Sequence, residues 1–213
     1  MSRNRYLLLL LAMFMVLWIG LAMNPFSRSD WVLENTLLLL AVFALVASNR
    51  ALPLSRRSYS MLFVFLCLHT VGAHYTYSEV PYDRWFKALT GNTLNELMGW
   101  HRNYYDRLVH FCYGLLLAYP VREVFIRLTG MRGFLSYFLP LDLTMSTSML
   151  YELIEWGAAE IFGGDLGAAF LGTQGDPWDA QKDMALASLG ALITVLLTVW
   201  VNSRRTRSEA RGR

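Results

Sequence analysis

The sequence predicts an all-α membrane protein with six transmembrane helices and with both termini in the cytoplasm. Three observations lead to this prediction: an apolar composition, six apolar stretches of helical length, and an unequal distribution of basic residues between the loops. Hydrophobic residues make up 55% of the 213 residues, and the mean hydropathy is +0.34. Soluble domains contain about 45–50% apolar residues, so the composition indicates a small polytopic membrane protein.

The six apolar stretches are each close to the length that crosses a bilayer. A hydrocarbon core of about 30 Å needs roughly 20 apolar residues in a helix. The first stretch is too long for the core of an ordinary signal peptide, and no small-residue cleavage site follows it before Asn24-Pro25, so we expect a retained span. The predicted spans are 6–23, 31–48, 58–77, 104–121, 134–158 and 180–201.

Basic residues predict the orientation of these spans. Lys and Arg concentrate at the N-terminus, in the second and fourth connections and after the last span, and the positive-inside rule places these segments in the cytoplasm. We therefore divide the chain into one six-span domain, 1–203, and a basic cytoplasmic tail, 204–213. A basic tail directly after a span is typical of an anchor against anionic lipid rather than of a nucleic-acid site, so the predicted partners are membrane lipids.

The connection 78–103 is the longest one, and the predicted topology places it outside. Its "RWFKAL" and "LNELMGWH" segments combine helical spacing with aromatic residues. This pattern predicts a short interfacial helix at the outer surface.

Acids and histidines in four of the spans lie near the predicted outer face, within roughly 12 Å of the boundary at 1.5 Å per residue, apart from Asp142, which lies nearer the middle of the fifth span. Charges inside a bilayer cost about 2.5–3.5 kcal/mol each, so they face the protein interior, pair, or line a cavity. Spans one and two are expected to be apolar supports, with Glu34 as the exception. The four groups are His69 and His74; Asp106 and His110; Glu152, Glu155 and Glu160; and Asp176, Asp179, Lys182 and Asp183.

Helical spacing selects the residues of this set that can meet. Residues three or four apart share a helix face, and three pairs have that spacing: Asp106 with His110, Glu152 with Glu155, and Asp179 with Asp183. His69 and His74 are five apart, about 140° around the helix, so only one of them can join the others. His74 lies at the depth of the other groups and is the better candidate, whereas His69 is typical of a hydrogen-bonded core histidine.

Several of these residues also have a structural interpretation. Asp176 before Pro177 resembles a helix N-cap followed by proline at the first helical position. Lys182 is expected to pair with Asp179 or Asp183, and Arg107 with an acid or a lipid headgroup. Glu160 and His101 are expected to be exposed to solvent.

The combination of carboxylates and imidazole predicts a site for a divalent metal ion such as zinc, iron or manganese. We expect Asp106, His110, Glu152 and Asp183 to be the metal ligands. The acids at this depth require positive charge to balance them, and Arg107 and Lys182 supply at most two positive charges. His74 and Glu155 would be the catalytic residues, each as an added ligand, an orienting group or a base. This site predicts a hydrolase of lipid or lipid-linked substrates. Two alternatives stay open: a lipid-binding or partner-stabilising subunit without activity, and a proton-coupled transporter, although the groups form no path across the membrane.

Four motifs occur in order along the chain: "HTVGAHYTY", "NYYDRLVHFCYG", "YELIEW" and "QGDPWDAQKDM". In this order and on six spans, they resemble the YjdF-like family of bacterial inner-membrane proteins, over nearly the whole chain. The resemblance implies a multi-pass protein of the bacterial inner membrane and assigns no chemistry. It also implies that the polar residues of these motifs are shared by the family: His74, Asp106, His110, Glu152, Glu155, Asp176, Asp179 and Asp183.

Overall fold

The computed structural model describes residues 1–164, 167, 171 and 173–211, and their side chains up to Arg204. In this part of the chain all regular structure is helical, in eight helices of which two are short. The predicted tail, 204–213, is helical to Arg211, and its last two residues lie outside the described residues. The helices are α1 (Arg3–Ala22), α2 (Arg28–Ser48), α3 (Arg56–His74), α4 (Tyr82–Thr90), α5 (Leu94–Met98), α6 (Tyr105–Thr129), α7 (Leu135–Phe162) and α8 (Asp179–Arg211).

The six long helices coincide with the six predicted spans. Four of them, α1, α2, α6 and α8, are long and apolar enough to cross a membrane, counting α8 from Asp179 to Arg204. Helices α3 and α7 fall outside that group, and ionisable residues interrupt the apolar sequence of both, including His69 and His74 on α3 and Asp142 and Glu152 on α7. The described part of the chain is thus all-helical, with four helices that could cross a membrane, and the number of six spans stays a prediction.

Local sequence sets the beginnings of the first three helices. Each follows a serine whose side chain accepts a hydrogen bond from a backbone N–H of the first turn: Ser2, Ser27 and Ser55. An N-cap of this kind satisfies one of the N–H groups that a helix start leaves unpaired. The segment 78–103 contains two short helices, α4 and α5, where one was expected.

The start of α8 differs from the sequence prediction. The helix begins at Asp179, and residues 177–178 form a turn in front of it. The Asp176 carboxylate accepts the backbone N–H of Trp178 at 3.1 Å, so it closes this turn. Asp176 is therefore not the N-cap of α8, and Pro177 is not its first residue, because the Asp176 side chain stabilises the turn instead.

Helix α6 lies at the centre of the helical packing, against α3, α7 and α8. It runs in the same direction as α8 and makes its closest contact there, where Gly114 meets the backbone of Ala187 and Gly190 meets that of Phe111. A Cβ atom on either glycine would overlap a backbone carbonyl of the other helix. Because neither glycine has a side chain, the two backbones touch one turn after His110 and Asp183.

Candidate functional site

Helices α6, α7 and α8 bring together the four side chains that the sequence predicted as metal ligands. One ligand atom from each of Asp106, His110 and Asp183 lies within 4.8 Å of the other two. His110 Nε2 is 3.6 Å from Asp106 Oδ1 and 3.5 Å from Glu152 Oε1. The four-residue spacing on α6 puts Asp106 and His110 on one face, and the glycine contact with α8 brings Asp183 to them. We call these four residues the acid–histidine cluster.

The acid–histidine cluster is buried and incompletely hydrogen-bonded. His110 is 7% exposed and Asp183 is 2% exposed. Asp183 Oδ1 and Glu152 Oε1 are buried atoms with no hydrogen-bond partner in the part of the chain that the structure describes. Most buried polar atoms in proteins have a partner, so these two oxygens are exceptions among the described residues.

The nearby basic residues are bound to other acids. Arg107 Nη2 lies 2.5 Å from Asp176 Oδ2 and 3.1 Å from Asp179 Oδ1, and Arg102 Nη2 lies 2.7 Å from the same Asp179 oxygen. Lys182 Nζ lies 2.6 Å from Asp176 Oδ2. The expected pairing of Lys182 with Asp179 or Asp183 is therefore wrong, because its side chain extends back toward the turn before α8.

Asp176 and Asp179 are the acids that bind the nearby arginines and lysine. The Lys182 ammonium, the Trp178 N–H and the Arg107 guanidinium hold the pKa of Asp176 well below its usual range. Asp179 was expected to share a face with Asp183, but its carboxylate is bound by the two arginines. Arg102, Arg107 and Lys182 thus bind Asp176 and Asp179. Among the described ion pairs, no lysine or arginine is bound to a carboxylate of the acid–histidine cluster, where His110 is the basic side chain within 4 Å.

His69 of α3 is a buried, hydrogen-bonded histidine, as expected, and His74 of the same helix contacts α1. The ring of His74 hydrogen-bonds the backbone carbonyl of Leu21 through Nδ1 at 2.6 Å, at the end of α1. His69 is 9% exposed and lines a cavity together with Asp106 and His110. His69 is therefore the α3 histidine that shares a cavity with Asp106 and His110, whereas the ring of His74 is held at the end of α1 and its catalytic role stays a prediction.

Glu34 is the most important site residue that the sequence analysis did not assign. It is 4% exposed, and its Oε2 accepts a hydrogen bond from the Tyr151 hydroxyl at 3.0 Å. The ring of Tyr151 in turn lies 6.0 Å from the ring of His110. His69 Nε2 lies 3.2 Å from the Glu34 carbonyl oxygen, and His69 Nδ1 lies 2.5 Å from the Tyr77 hydroxyl. The sequence signal that could have identified Glu34 is its position as the single acid in the predicted span 31–48.

The remaining candidate positions agree in part with the prediction. Glu155 is 9% exposed and lies close enough to Glu34, Asp106 and Glu152 to interact with them electrostatically. Glu160 is exposed as expected, although it lies within α7 and not in a loop. His101 is exposed in the connection before α6, as expected.

Two cavities meet at Asp106, which lines both. The first, the apolar cavity, has a volume of about 220 Å³ and lies between α2, α3, α6 and α7. The second, the acidic cavity, has a volume of about 530 Å³ and is lined by α7, α8 and the turn before α8. Its acids are Asp106, Glu152, Glu155, Asp176, Asp179 and Asp183. The acid–histidine cluster therefore lies between an apolar and an acidic space.

Comparison with known proteins identifies similar sequences. The family model described as "Predicted membrane protein (DUF2238)" matches residues 6–204. The chain is 39% identical over 183 residues to the inner membrane protein YjdF of Escherichia coli (strain K12). The aligned residues cover 85% of this chain and 83% of that protein. No solved structure matches the chain significantly.

Proposed function

The chain belongs to the DUF2238 family of predicted membrane proteins, and we propose that it is a six-span inner-membrane hydrolase that depends on a divalent cation. In this proposal both termini are cytoplasmic and the acid–histidine cluster opens to the outer side. The similarity to a protein named for the inner membrane supports the location. Helix α3 supports the count of six, because its 19 residues extend roughly 28 Å, and it packs among α1, α2 and α6.

The observation that carries the cation site is the buried Asp183 carboxylate. Its Oδ1 has no hydrogen-bond partner in the described chain, and it faces the imidazole of His110 and the carboxylate of Asp106. Breaking or omitting the partner of a buried charge costs about 3–5 kcal/mol. Because Arg102 and Arg107 are bound to Asp179, a cation from solution is the partner that this geometry favours.

The donor set favours a particular class of cation. Carboxylate oxygens together with one imidazole nitrogen suit zinc, manganese or ferrous iron, whereas magnesium and calcium prefer oxygen ligands alone. Asp106, His110 and Asp183 would supply three ligands, and Glu152 Oε1, which has no hydrogen-bond partner in the described chain, would supply a fourth.

The proposed reaction is hydrolysis of an ester or phosphoester in a lipid or lipid-linked substrate. A cation bound in this way supplies an activated water molecule. Water adds to the reacting carbon or phosphorus, the bond to the leaving oxygen breaks, and the proton of the water passes through Glu155 to that oxygen. Glu155 suits this task because it lines the acidic cavity beside Glu152 and Asp183. We assign no step of this reaction to His74, whose Nδ1 hydrogen-bonds the Leu21 carbonyl at the end of α1.

Metal analysis of the purified protein tests the cation site. We expect close to one equivalent of a transition metal, which is lost in Asp183→Asn and in His110→Gln. Asp142→Asn is the matched control, because Asp142 lies exposed on α7 away from the cluster. A protein without metal, or equal metal in all variants, overturns the cation site. Metal binding without turnover of any lipid ester or phosphoester, and with no effect of Glu155→Gln, would instead favour a lipid-binding or partner-stabilising subunit.

Cysteine labelling tests the orientation. In a background without Cys67 and Cys112, Gln181→Cys should react with an impermeant reagent from the outer side only, and Arg132→Cys from the cytoplasmic side only. Both positions are exposed. The reverse pattern overturns the topology. Labelling of Asp183→Cys from both sides would favour a transporter over a hydrolase.

A further inference from the structure

The apolar cavity changes in polarity along its length. Along α6 its lining runs from Asp106 and His110 through Tyr113 to Leu117. At 1.5 Å per residue, the distance from Asp106 to Leu117 is roughly 16 Å. Leu66 of α3 lines the cavity as well. Asp106 and His110 of the acid–histidine cluster therefore lie at one end of the cavity, and aliphatic side chains including Leu66 and Leu117 lie at its other end.

The apolar cavity opens sideways at α2. Leu37 and Ala41 line the cavity and are also exposed on the surface, Leu37 by 44%. They lie one turn apart on a helix that is long and apolar enough to cross a membrane. The surface around this opening therefore faces hydrocarbon and not water, and an apolar cavity is a poor site for water molecules.

We propose that the apolar cavity binds the hydrocarbon chain of a lipid that enters from the bilayer between α2 and α7, past Leu37 and Ala41. The chain lies along α6 with its end near Leu117, and the first polar group of the lipid lies at Asp106 and His110. The substrate class is then a lipid whose hydrolysable bond directly adjoins one long chain. This assignment of the bond rests on the proposed function, whereas the chain site itself does not require the cation.

Three features of the structure favour a lipid chain as the occupant. The opening lies on the apolar face of a membrane helix, where lipid chains are the surrounding solvent. The polar groups of α6 that line the cavity come first along the helix, at Asp106 and His110, as a lipid with a polar head and an apolar tail requires. The polar end is shared with the acidic cavity through Asp106, so the head of the lipid reaches the acid–histidine cluster.

Photolabelling tests the chain site. The protein is reconstituted in vesicles of phosphatidylethanolamine and phosphatidylglycerol that contain phosphatidylglycerol with a diazirine in its acyl chain, and labelled peptides are mapped by mass spectrometry. We expect label on α6 around Leu117, which is only partly exposed. Ala41→Trp should reduce this label severalfold, because the indole would occupy the opening. Ala44→Trp is the matched control, since Ala44 is exposed on the same helix and does not line the cavity.

The same experiment separates this proposal from the proposed function. In Asp183→Asn the label near Leu117 should persist, because the chain binds without the cation. Persistent label in a protein that never binds metal overturns the proposed hydrolase and leaves the chain site intact. Label confined to exposed residues, or label near Leu117 that is equal in wild type, Ala41→Trp and Ala44→Trp, overturns the chain site. If Ala41→Trp does not fold, Leu117→Trp fills the inner end of the cavity and should give the same loss of label elsewhere in the cavity.

Discussion

Gly114 of α6 lies in direct contact with the backbone carbonyl of Ala187 on α8, in a space that no side chain could enter. One turn earlier on each helix are His110 and Asp183, whose ligand atoms lie within 4.8 Å of one another. A wider separation of the two helices would move the Asp183 carboxylate away from the imidazole. The distance between two backbones therefore determines the geometry of the acid–histidine cluster.

Replacement of Gly114 by alanine should damage both the fold and the cluster. The new Cβ would overlap the Ala187 carbonyl, and overpacking of this kind costs about 1–3 kcal/mol. We expect a lower Tm in detergent and weaker metal binding. Gly157→Ala is the matched control, because a Cβ on this α7 glycine meets nothing within 4 Å, so helix propensity should leave it neutral or more stable by about 1 kcal/mol. Equal Tm values for the two variants would contradict the close contact.

The difference in stability between Asp183→Asn and wild type should change when a cation is added. In a chelator the variant should be at least as stable as wild type, because it removes a buried carboxylate that has no lysine or arginine partner among the described ion pairs. Zinc should raise the Tm of wild type, since a ligand at 100 times its Kd adds about 2.7 kcal/mol to the folded state. The variant should show little of this increase, whereas Asp142→Asn should respond as wild type does. A zinc response of Asp183→Asn equal to that of wild type would exclude this carboxylate as a ligand.

Arg107→Gln should lower the stability of the protein more than Lys182→Gln does. Arg107 binds Asp179, whose side chain is 3% exposed, while the Lys182 side chain is 48% exposed. Loss of one partner in a buried pair costs about 3–5 kcal/mol, and the remaining Arg102 contact should keep the cost of Arg107→Gln near the lower value. Lys182→Gln should lower the Tm much less, because exposed pairs contribute little. Similar losses in both variants would show that burial does not separate the two ion pairs.

Asp176 should stabilise the connection before α8 over most of the pH range. Its pKa is lowered in the folded protein by Lys182, the Trp178 N–H and Arg107, so its contribution is present above the unfolded pKa of about 3.9 and is lost as the pH falls through the lower folded value. The difference in Tm between wild type and Asp176→Asn should persist from neutral pH down to about pH 4 and shrink in stronger acid. Glu160→Gln, an exposed acid on α7, serves as the control, and a difference that already disappears near neutral pH would contradict the lowered pKa.

The helices and the polar residues that share one helix face could be predicted from local patterns. Each long helix coincides with an apolar stretch, and the pairs Asp106 with His110 and Glu152 with Glu155 follow from helical spacing alone. Glu34 could not be assigned in this way, because its partner Tyr151 is 117 positions away in the sequence. Spacing relates residues on one helix and contains no information about the rotation of a neighbouring helix.

The sequence by itself determined the all-helical membrane architecture and the set of acids and histidines from which a site could be built, because apolar length and helical period are local properties. The tertiary structure alone decided which of them meet. It placed His69 in the apolar cavity and His74 against Leu21. It also paired Lys182 with Asp176 and placed Asp183 beside His110. These choices depend on how closely and at what rotation α3, α6 and α8 pack, which is a property of the whole bundle.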